Sequence, residues 1–523
     1  MQAKVTAVRF APCCYQVTRL KKLFGSTCQS FGSHFIQHPM MSLLLAIALS
    51  CVFVTSQVAA EESEVVSYAG FQVWKIKPNS EEERQFILDI KDSYELELWN
   101  ERRMTRDPID FIIPPQSQTK LKSKLAERKI SYVVVISDLQ TAIDNQKTNI
   151  NKTTSDSKAA YNMDWISYHR LNNIYAFLTY LNTTYPKLVQ LINIGSSYEK
   201  RPLYVIRISN SSSPGTRPAI WIDGGIHARE WISPAVATYI IQQLVEVPAN
   251  AKLLSNVDWY IMPVVNPDGY EFTHTTNRMW RKTRSVSSTS SCRGVDPNRN
   301  FGFKWGGLGA STNPCQDTYR GTKAFSEPET LATSNFIKGK SSQIKLYLTL
   351  HSYGQYALIP YGYDVVYPPD YNDLLALANN AASKFVKYTY TVGNSADLLY
   401  AASGASDDWA KSIGIKYSYT FELPDKGTYD FLLPASDILP VCEDFFPAFD
   451  VFAAKVATCC GAATTTIKPR TTPTTRKTTA ATRKTTAATR KTTATTRKTT
   501  TTRRQPTTAT SKRTTTKCPC VCG

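Results

Sequence analysis

The sequence predicts a large α/β domain, preceded by a small α+β domain and followed by a low-complexity tail. With 523 residues, 42% of them apolar, the chain is long enough to bury a large core and to carry extra domains. Residues 159–458 alternate apolar, β-favouring runs with helical segments. Residues 61–158 are more highly charged. After Cys460 the chain becomes a seven-residue repeat of Thr, Ala and Arg-Lys that has almost nothing to bury.

A leader and secretory signal peptide are predicted at the start of the chain. An apolar stretch from Leu43 to Val54 precedes a small-residue cleavage site that ends at Ala60, and it is too short to span a membrane. Cleavage there leaves eight cysteines, an even number that suits an oxidising compartment. Acceptor sequons for glycosylation follow at Asn151, Asn182 and Asn210. We therefore expect a secreted protein, and the length of the leader leaves open a translation start at Met40 or Met41.

The charged block from 61 to 158 predicts a small α+β domain that ends in an exposed linker. Its periodicity indicates two strands and one helix, at residues 71–76, 132–136 and 81–99. The polar stretch "DNQKTNINKTTSDSKAA", residues 144–160, has the composition of a linker. It offers Lys158, or alternatively Lys152, to a trypsin-like protease.

Positive charge is concentrated in the tail, residues 461–523. The net charge of +19 would suggest nucleic-acid binding, but fifteen Lys and Arg residues and no acidic residue lie between 468 and 517. The rest of the chain therefore carries only about +4, and we expect no nucleic-acid partner. Arg-Lys pairs on an extended, O-glycosylated chain predict weak, salt-sensitive attachment to acidic glycans. A glycosylated spacer is the alternative, and the cysteines of "KCPCVCG" are candidates for intermolecular disulfides.

A metal site is predicted where two apolar strands end. In "AIWIDGGIHAREW", residues 219–231, two glycines break the strand, so His227 falls in the loop at its carboxyl end and Glu230 follows. His351 closes "KLYLTLHSY", a second apolar strand that runs into a polar turn. Two imidazoles and a carboxylate form a known ligand set of catalytic zinc. Structural zinc more often uses cysteines, and none is near either motif.

Charged side chains in the same block supply candidate catalytic groups. Glu422 lies in the aromatic, strand-like run "YSYTFELP", where a carboxylate is costly unless it is exposed or has a function. A carboxyl group in partly apolar surroundings beside a metal suits a general base. The turn-rich segments "NRMWRKTRS" and "GVDPNRNFGF" contain five more candidates: Arg278, Arg281, Arg284, Asn298 and Arg299. For each of these arginines alone, a solvated surface position is the alternative.

Together these motifs resemble the zinc metallocarboxypeptidases of the pancreatic A/B family. The resemblance covers residues 161–456 and includes "RPAIWIDGGIHAREWISPA", "DPNRNFGFKWG", "LHSYGQ", "SDDWA", "GIKYSYTFEL" and "FLLPAS". It implies a mixed eight-stranded sheet with helices on both faces for residues 159–460. Residues 61–158 resemble the family's inhibitory prosegment, an open antiparallel α/β sandwich. The resemblance therefore implies a secreted zymogen with one zinc ion, which hydrolyses peptide and protein C-termini after cleavage by a trypsin-like protease.

The resemblance also implies roles for individual residues. It makes His227, Glu230 and His351 the zinc ligands. It makes Glu422 the general base, and Arg281 the group that polarises the scissile carbonyl. Asn298 and Arg299 match the residues that receive the terminal carboxylate, and Tyr400 matches the mobile tyrosine that closes over bound substrate. Secondary positions of the substrate-binding cleft are matched by Arg229, Arg284, Ser352, Tyr353 and Phe431. Cys292 and Cys315 match the family's disulfide.

Substrate preference is predicted from "SGASDDWA". By resemblance, Asp407 occupies the floor of the pocket for the terminal side chain, where B-type members carry an aspartate and A-type members an apolar residue. A buried carboxylate there is satisfied by Lys or Arg, so we expect B-type specificity. In the alternative, Asp408 points inward instead. Gly362 is as in A-type members, so an A-type preference stays open, as does a glycan-anchored or non-catalytic relative.

Overall fold

The computed structural model describes residues 64–101, 108–148, 163–213 and 215–458. The signal peptide, the Asn151 sequon, Lys152, Lys158 and the tail lie outside the described residues. The described chain forms an N-terminal lobe, from residue 64 to 148, and a main lobe, from residue 163 to 458. None of its described helices is long and apolar enough to cross a membrane.

The N-terminal lobe is an antiparallel sheet with three helices. Its strands are β1 (Gln72–Lys77), β2 (Glu97–Glu101), β3 (Ile109–Ile113) and β4 (Ser131–Ile136), and its helices are α1 (Glu81–Ile90), α2 (Pro115–Glu127) and α3 (Leu139–Thr148). The strand order is β2-β3-β1-β4. Because side chains alternate along a strand, Trp74 of β1 packs with Ile87 of α1 and Leu121 of α2. Its neighbour Val73 faces the main lobe.

Two predictions for this lobe are wrong in part. The helix predicted over 81–99 ends at Ile90. A short 3-10 turn, Asp92–Tyr94, follows and ends at Glu95, which takes a left-handed backbone with φ 55°, and the chain then pairs with β3 as β2. The linker predicted from residue 144 begins later, because residues 144–148 continue α3. Buried Gln146 donates a hydrogen bond to the Leu433 carbonyl at 3.0 Å. Its partner is 287 residues away, so the local polar composition is misleading.

The main lobe contains one mixed sheet of eight strands, as the resemblance implies. The strands are β5 (Val189–Ser196), β6 (Pro202–Ile208), β7 (Ala219–Asp223), β8 (Asp258–Met262), β9 (Ile344–Ser352), β10 (Tyr356–Ile359), β11 (Thr391–Asn394) and β12 (Tyr417–Leu423). Their order is β11-β10-β12-β9-β7-β8-β6-β5. The central strands β8, β7, β9 and β12 are parallel neighbours, and antiparallel pairs flank them.

Helices cover both faces of this sheet, which confirms the predicted fold class. The helices are α4 (Leu171–Thr184), α5 (Ile232–Glu246), α6 (Pro267–Thr275), α7 (Pro328–Gly339), α8 (Tyr371–Ala382), α9 (Ser395–Leu398), α10 (Ser406–Ser412), α11 (Ile438–Phe445) and α12 (Ala448–Thr458). Ile220 and Ile222 of β7 pack into the core with α4, α5, α8, α11 and α12. Trp221, between them, packs on the opposite face with α7 and α10. A strand buried on both faces reads as a continuous apolar run, which explains the sequence of β7.

The disulfide implied by the resemblance is present. Cys292 and Cys315 are bonded and close a loop between α6 and α7 with a sequence separation of 23. Among the described residues Cys442 is the free cysteine, and it is buried in α11. Cys459, Cys460 and the terminal cysteines lie outside the described residues.

Two glycines near α10 differ in what surrounds them. Gly404 has φ +80°, and a Cβ atom there would lie 2.5 Å from the Arg299 carbonyl oxygen. Gly414 has φ +96°, but a Cβ atom there would meet nothing within 4 Å. Both positions favour glycine, but only Gly404 combines left-handed backbone with a close approach to another segment.

We expect Gly404→Ala to destabilise the protein more than Gly414→Ala. Gly414→Ala costs only the left-handed backbone, about 1 kcal/mol. Gly404→Ala adds a collision that displaces Arg299, roughly 2 kcal/mol more. Urea unfolding of the two variants measures the difference. Equal losses of unfolding free energy would contradict a tight contact between Gly404 and Arg299.

Candidate active site

Three side chains converge where β7 and β9 end. His227 and Glu230 lie in the loop between β7 and α5, and His351 is the penultimate residue of β9. His227 Nδ1 lies 2.7 Å from Glu230 Oε1 and 3.1 Å from His351 Nδ1. His351 Nδ1 lies 3.2 Å from Glu230 Oε2. The three residues are buried, and their ligand-type atoms all lie within 4.8 Å of one another.

The chemistry of these three side chains fits a metal cation. Burial and the nearby Arg281 lower the pKa of His227, which keeps its imidazole neutral and able to donate a lone pair. Burial also lowers the pKa of His351, but Glu230 outweighs this effect and raises it to about 9. Burial raises the pKa of Glu230, but both histidines together lower it below its ordinary value. The nitrogen and oxygen atoms that these side chains bring together therefore attract positive charge, as two nitrogens and a carboxylate do in catalytic zinc sites.

Asp296, which no sequence pattern singled out, orients this group. Its Oδ1 lies 3.1 Å from His227 Nε2, and its Oδ2 accepts hydrogen bonds from Arg281 Nε at 3.2 Å and Nη2 at 3.0 Å. The fully buried carboxyl keeps a pKa well below its usual range, because Arg281 and His227 outweigh the effect of burial. A carboxylate on the outer nitrogen of a ligating histidine fixes the tautomer that binds metal. The only sequence signal was an aspartate in a turn, "DPNR", next to two residues already singled out.

Glu422 lies beside the three convergent side chains. Parallel pairing of β12 with β9 sets Glu422 opposite His351. Burial raises the pKa of the Glu422 carboxyl to about 8, although His351 acts in the opposite direction. A positive charge at the neighbouring group lowers this pKa, so the carboxyl is suited to accept and release a proton near neutral pH.

Asn298 and Arg299 present hydrogen-bond donors to the same cleft. Asn298 Oδ1 accepts the Ser406 N–H at 2.9 Å, which fixes the orientation of its amide. Arg299 donates from Nε to the Gly309 carbonyl at 2.8 Å, while its buried Nη2 has no hydrogen-bond partner among the described residues. Half-buried Tyr400 lies close by, with its ring 5.8 Å from the Arg299 guanidinium. An unpaired guanidinium N–H in a cleft favours a carboxylate ligand.

The adjacent carboxylates Asp407 and Asp408 face different surroundings. Asp408 accepts the N–H groups of Gly362 at 2.7 Å and Tyr363 at 2.9 Å, so it is satisfied within the fold. Asp407 lines the cleft, is 2% exposed, and its Oδ2 has no hydrogen-bond partner within the described chain. Burial raises the pKa of the Asp407 carboxyl. The part of the cleft around Asp407 also includes Leu358, Ser395, Ala405 and Thr420.

Four further predicted residues lie along the cleft. Arg229 lies over the Phe431 ring, 4.4 Å from its centroid, and Tyr353 packs on the same ring at 5.1 Å. The Ser352 N–H donates to Glu230 Oε2 at 3.1 Å, which ties this wall of the cleft to the convergent group. All four residues line the cleft.

Two arginines singled out in the sequence lie elsewhere, and the substrate-binding role expected of Arg284 stays a prediction from the resemblance. Arg284 does not line the cleft; it packs on the Phe272 ring at 3.5 Å and on the Trp280 ring at 4.6 Å. Buried Arg278 instead donates from Nε to Gln146 Oε1 of the N-terminal lobe at 2.9 Å.

The remaining described histidines are structural. His169 Nε2 lies 3.2 Å from Asp164 Oδ1 at the start of α4. His274 stacks on Trp231, with ring centroids 4.1 Å apart. Neither residue is part of the convergent group.

The N-terminal lobe closes the cleft from outside. The cleft has a volume of about 680 Å³, and its lining includes Leu88, Lys91, Leu98 and Trp99 of this lobe. Trp99 packs on Phe431, with ring centroids 5.1 Å apart, and Lys91 Nζ donates to Gln316 Oε1 at 2.9 Å. The lobe therefore covers the residues that line the cleft in the main lobe.

Comparison with known proteins identifies both lobes. A family model described as zinc carboxypeptidase matches residues 174–448, and one described as carboxypeptidase activation peptide matches residues 74–146. Carboxypeptidase A2 of Mus musculus is 40% identical over 387 residues, which are 72% of this chain and 92% of that protein. Carboxypeptidase B of Bos taurus is 37% identical over 404 residues, 75% of this chain and 95% of that protein.

A solved structure shows the same arrangement. The crystal structure of carboxypeptidase A from Helicoverpa armigera is 28% identical and has a TM-score of 0.70, and the match covers 75% of this chain and 99% of that chain. A-type and B-type relatives match at similar identity, so the comparisons give the activity without the side-chain preference. The convergent His-Glu-His group agrees with the zinc named in the family. The chain belongs to the zinc carboxypeptidase family, and it carries that family's activation peptide.

Proposed function

We propose that this zinc metallocarboxypeptidase is a secreted exopeptidase that removes a C-terminal Lys or Arg after proteolytic activation. The observation that carries the proposal is Asp407, a buried carboxylate in the cleft wall with one oxygen unpaired within the described chain. The A-type preference for apolar residues is the alternative, because Gly362 and the mixed set of relatives do not exclude it.

In this proposal the substrate's free C-terminus is held by Asn298 and Arg299. The Arg299 guanidinium is already fixed through Nε and Nη1, so the free Nη2 faces a planar carboxylate without further ordering. The peptide must end at this point, which makes the enzyme an exopeptidase. Tyr400, half-buried in a loop after α9, closes over the bound residue.

Hydrolysis is assigned to Glu422 and Arg281 beside the zinc ligands His227, Glu230 and His351. When bound there, zinc supplies a Lewis acid that polarises the scissile carbonyl and acidifies water. Glu422 takes the proton of the attacking water and passes it to the leaving amine. Arg281, held by Asp296, donates hydrogen bonds to the oxygen that gains negative charge. With all these groups present in one cleft, the non-catalytic alternative has no support.

Selectivity is assigned to the charge of Asp407. An empty or apolar-filled pocket leaves this buried carboxylate without compensation, whereas an ammonium or guanidinium group pairs with it. Asp408 is not an alternative partner for substrate in this proposal, since its oxygens already accept two backbone N–H groups.

Activation and location extend the proposal to parts of the chain outside the described residues. We propose domain boundaries of 1–60, 61–158, 159–460 and 461–523, with cleavage by a trypsin-like protease at Lys158 or Lys152. Secretion is supported by the signal-like leader and by the Cys292–Cys315 disulfide. Attachment to acidic glycans through the Arg-Lys repeats stays a prediction from the sequence.

We expect Asp296→Asn to weaken zinc binding roughly ten- to a hundredfold, because the outer nitrogen of His227 loses its carboxylate partner. Competition with a chelator measures the affinity. Asp258→Asn is the matched control, because Asp258 is equally buried but pairs with Ser209 and Gln343 instead. If both variants lose zinc to the same extent, Asp296 has no specific part in the metal site.

We expect the wild type to prefer C-terminal Arg and Lys over Phe and Leu, and Asp407→Ile to abolish this preference. Breaking a buried charge pair costs about 2 to 5 kcal/mol, which corresponds to roughly thirty- to several-thousand-fold in discrimination. The measurement is kcat/KM on matched blocked dipeptides. Asp408→Asn, as control, should lose stability and keep the preference for Arg. Wild-type preference for Phe would overturn the B-type assignment.

We expect the chain from residue 61 onward to hydrolyse small substrates slowly until trypsin cuts it. Trp99→Ala should raise the activity of the uncut protein roughly tenfold, because the N-terminal lobe loses its packing on Phe431. Val133→Ala, on the exposed face of β4, should leave it unchanged. Full activity of the uncut wild type would show that the N-terminal lobe does not inhibit.

A further inference from the structure

Asp430 is held in an unusual conformation at the rim of the cleft. It lies between β12 and α11, next to Phe431, and has φ 57°, a left-handed backbone that residues with a side chain seldom adopt. The Asp425 carboxylate fixes this loop by accepting four backbone N–H groups, and that of Asp430 is one of them, at 2.9 Å. Strained backbone that the surroundings enforce is characteristic of functional positions.

Within the described chain, the side chain of Asp430 is paired only with the N-terminal lobe. Its Oδ2 accepts the indole N–H of Trp99 at 2.8 Å, and its Oδ1 has no hydrogen-bond partner among the residues described. The residue is 3% exposed, and burial raises the pKa of its carboxyl to about 7. The other charged groups that act on it are Asp425, Asp110 and Lys75. Trp99, Asp110 and Lys75 all leave when the activation peptide is removed.

Once exposed, Asp430 lies beside an aromatic wall. Phe431 lines the cleft and packs with Trp99, Tyr353 and Arg229. Asn298, which holds the substrate's terminal carboxylate in the proposed function, accepts a hydrogen bond from the N–H of Ser406, the residue before Asp407. In the proposed function the terminal residue lies at Asp407, which leaves the part of the cleft at Phe431 for residues that precede it. A carboxylate beside an aromatic ring matches a cationic side chain that carries N–H groups.

We propose that Asp430 and Phe431 form a subsite for a cationic side chain one or two residues before the substrate's C-terminal residue, and that Trp99 occupies this subsite in the zymogen. The inference rests on the proposed function and extends it from the terminal residue to the preceding ones. The indole N–H supplies one donor and no charge. A guanidinium or ammonium group supplies the charge and a donor for the second oxygen as well.

The test compares blocked tripeptides that all end in Arg and carry Arg or its neutral isostere citrulline at the penultimate or the preceding position. The zinc-loaded full chain is activated with trypsin, which is then blocked irreversibly, and a zinc chelator identifies residual serine-protease cleavage. We expect kcat/KM to be roughly tenfold higher for Arg than for citrulline at one of the two positions.

Two variants remove the charge without opposing the local backbone. Asn and Gly both tolerate left-handed φ, so Asp430→Asn and Asp430→Gly should fold. A wild-type kcat/KM on a tripeptide with Gly at both upstream positions and Arg at the C-terminus verifies that each variant is folded. In both variants the Arg-to-citrulline ratio should fall to about one. Asp450→Asn, which removes an exposed carboxylate paired with Lys252, should keep the wild-type ratio.

A wild-type enzyme that does not distinguish Arg from citrulline at either position would overturn the inference, as would a ratio that survives in both Asp430 variants. In either case the release of terminal Arg would still support the proposed function. An activated wild type that releases no terminal Arg would instead refute the proposed function itself.

Discussion

Parallel pairing of β7, β9 and β12 is the constraint on which the active site depends. It brings the carboxyl ends of three strands to one edge, where His227, His351 and Glu422 come within reach of one another. The strands themselves are buried on both faces, so their register is fixed by the two apolar cores rather than by the polar side chains. Packing of the core therefore determines where the charged groups lie, and their own interactions do not have to fix the backbone.

This arrangement concentrates charge in a place from which water is largely excluded. Glu230, Asp296 and Asp407 are all buried, and so are Arg281 and Arg299. Each carboxylate has a different source of compensation. Asp296 is paired with Arg281 inside the fold, whereas the two histidines compensate Glu230, and a bound zinc ion would add to this. Asp407 forms no ion pair with a side chain among the described residues. In the proposed function, the cationic side chain of the substrate therefore pairs with it.

The sequence was informative where a local pattern carried the signal. A strand interrupted by glycines placed His227 and Glu230 in a loop, and an apolar strand ending in a polar turn placed His351, so the metal site was predictable. The fold class was predictable for the same reason, although the eight-stranded arrangement came from the family resemblance. Asp296 was not predicted, because its role depends on Arg281 and His227, which only the folded chain brings to it.

Other differences from the local sequence pattern also depend on contacts in the folded chain. Residues 97–99, which were predicted as helix, pair with β3 as part of β2. Gln146 has the local sequence of a linker, but its hydrogen-bond partner is the Leu433 carbonyl. Arg284 fits the family's spacing, but its guanidinium packs on the Phe272 ring and does not line the cleft. In each case a contact in the folded chain, which the local sequence pattern does not show, decided where the residue lies.

Part of the cleft wall is also part of a hydrophobic core. Met279, Tyr353, Phe431 and Leu432 of the main lobe are packed in one apolar cluster with residues of the N-terminal lobe, among them Val73 and Trp99. Removal of the activation peptide therefore transfers this surface from a protein interior to water. The free energy that apolar burial contributes to the stability of the precursor becomes available for peptide binding. The mature enzyme therefore buries less apolar surface at this wall than its precursor does, and a bound peptide covers part of that surface again.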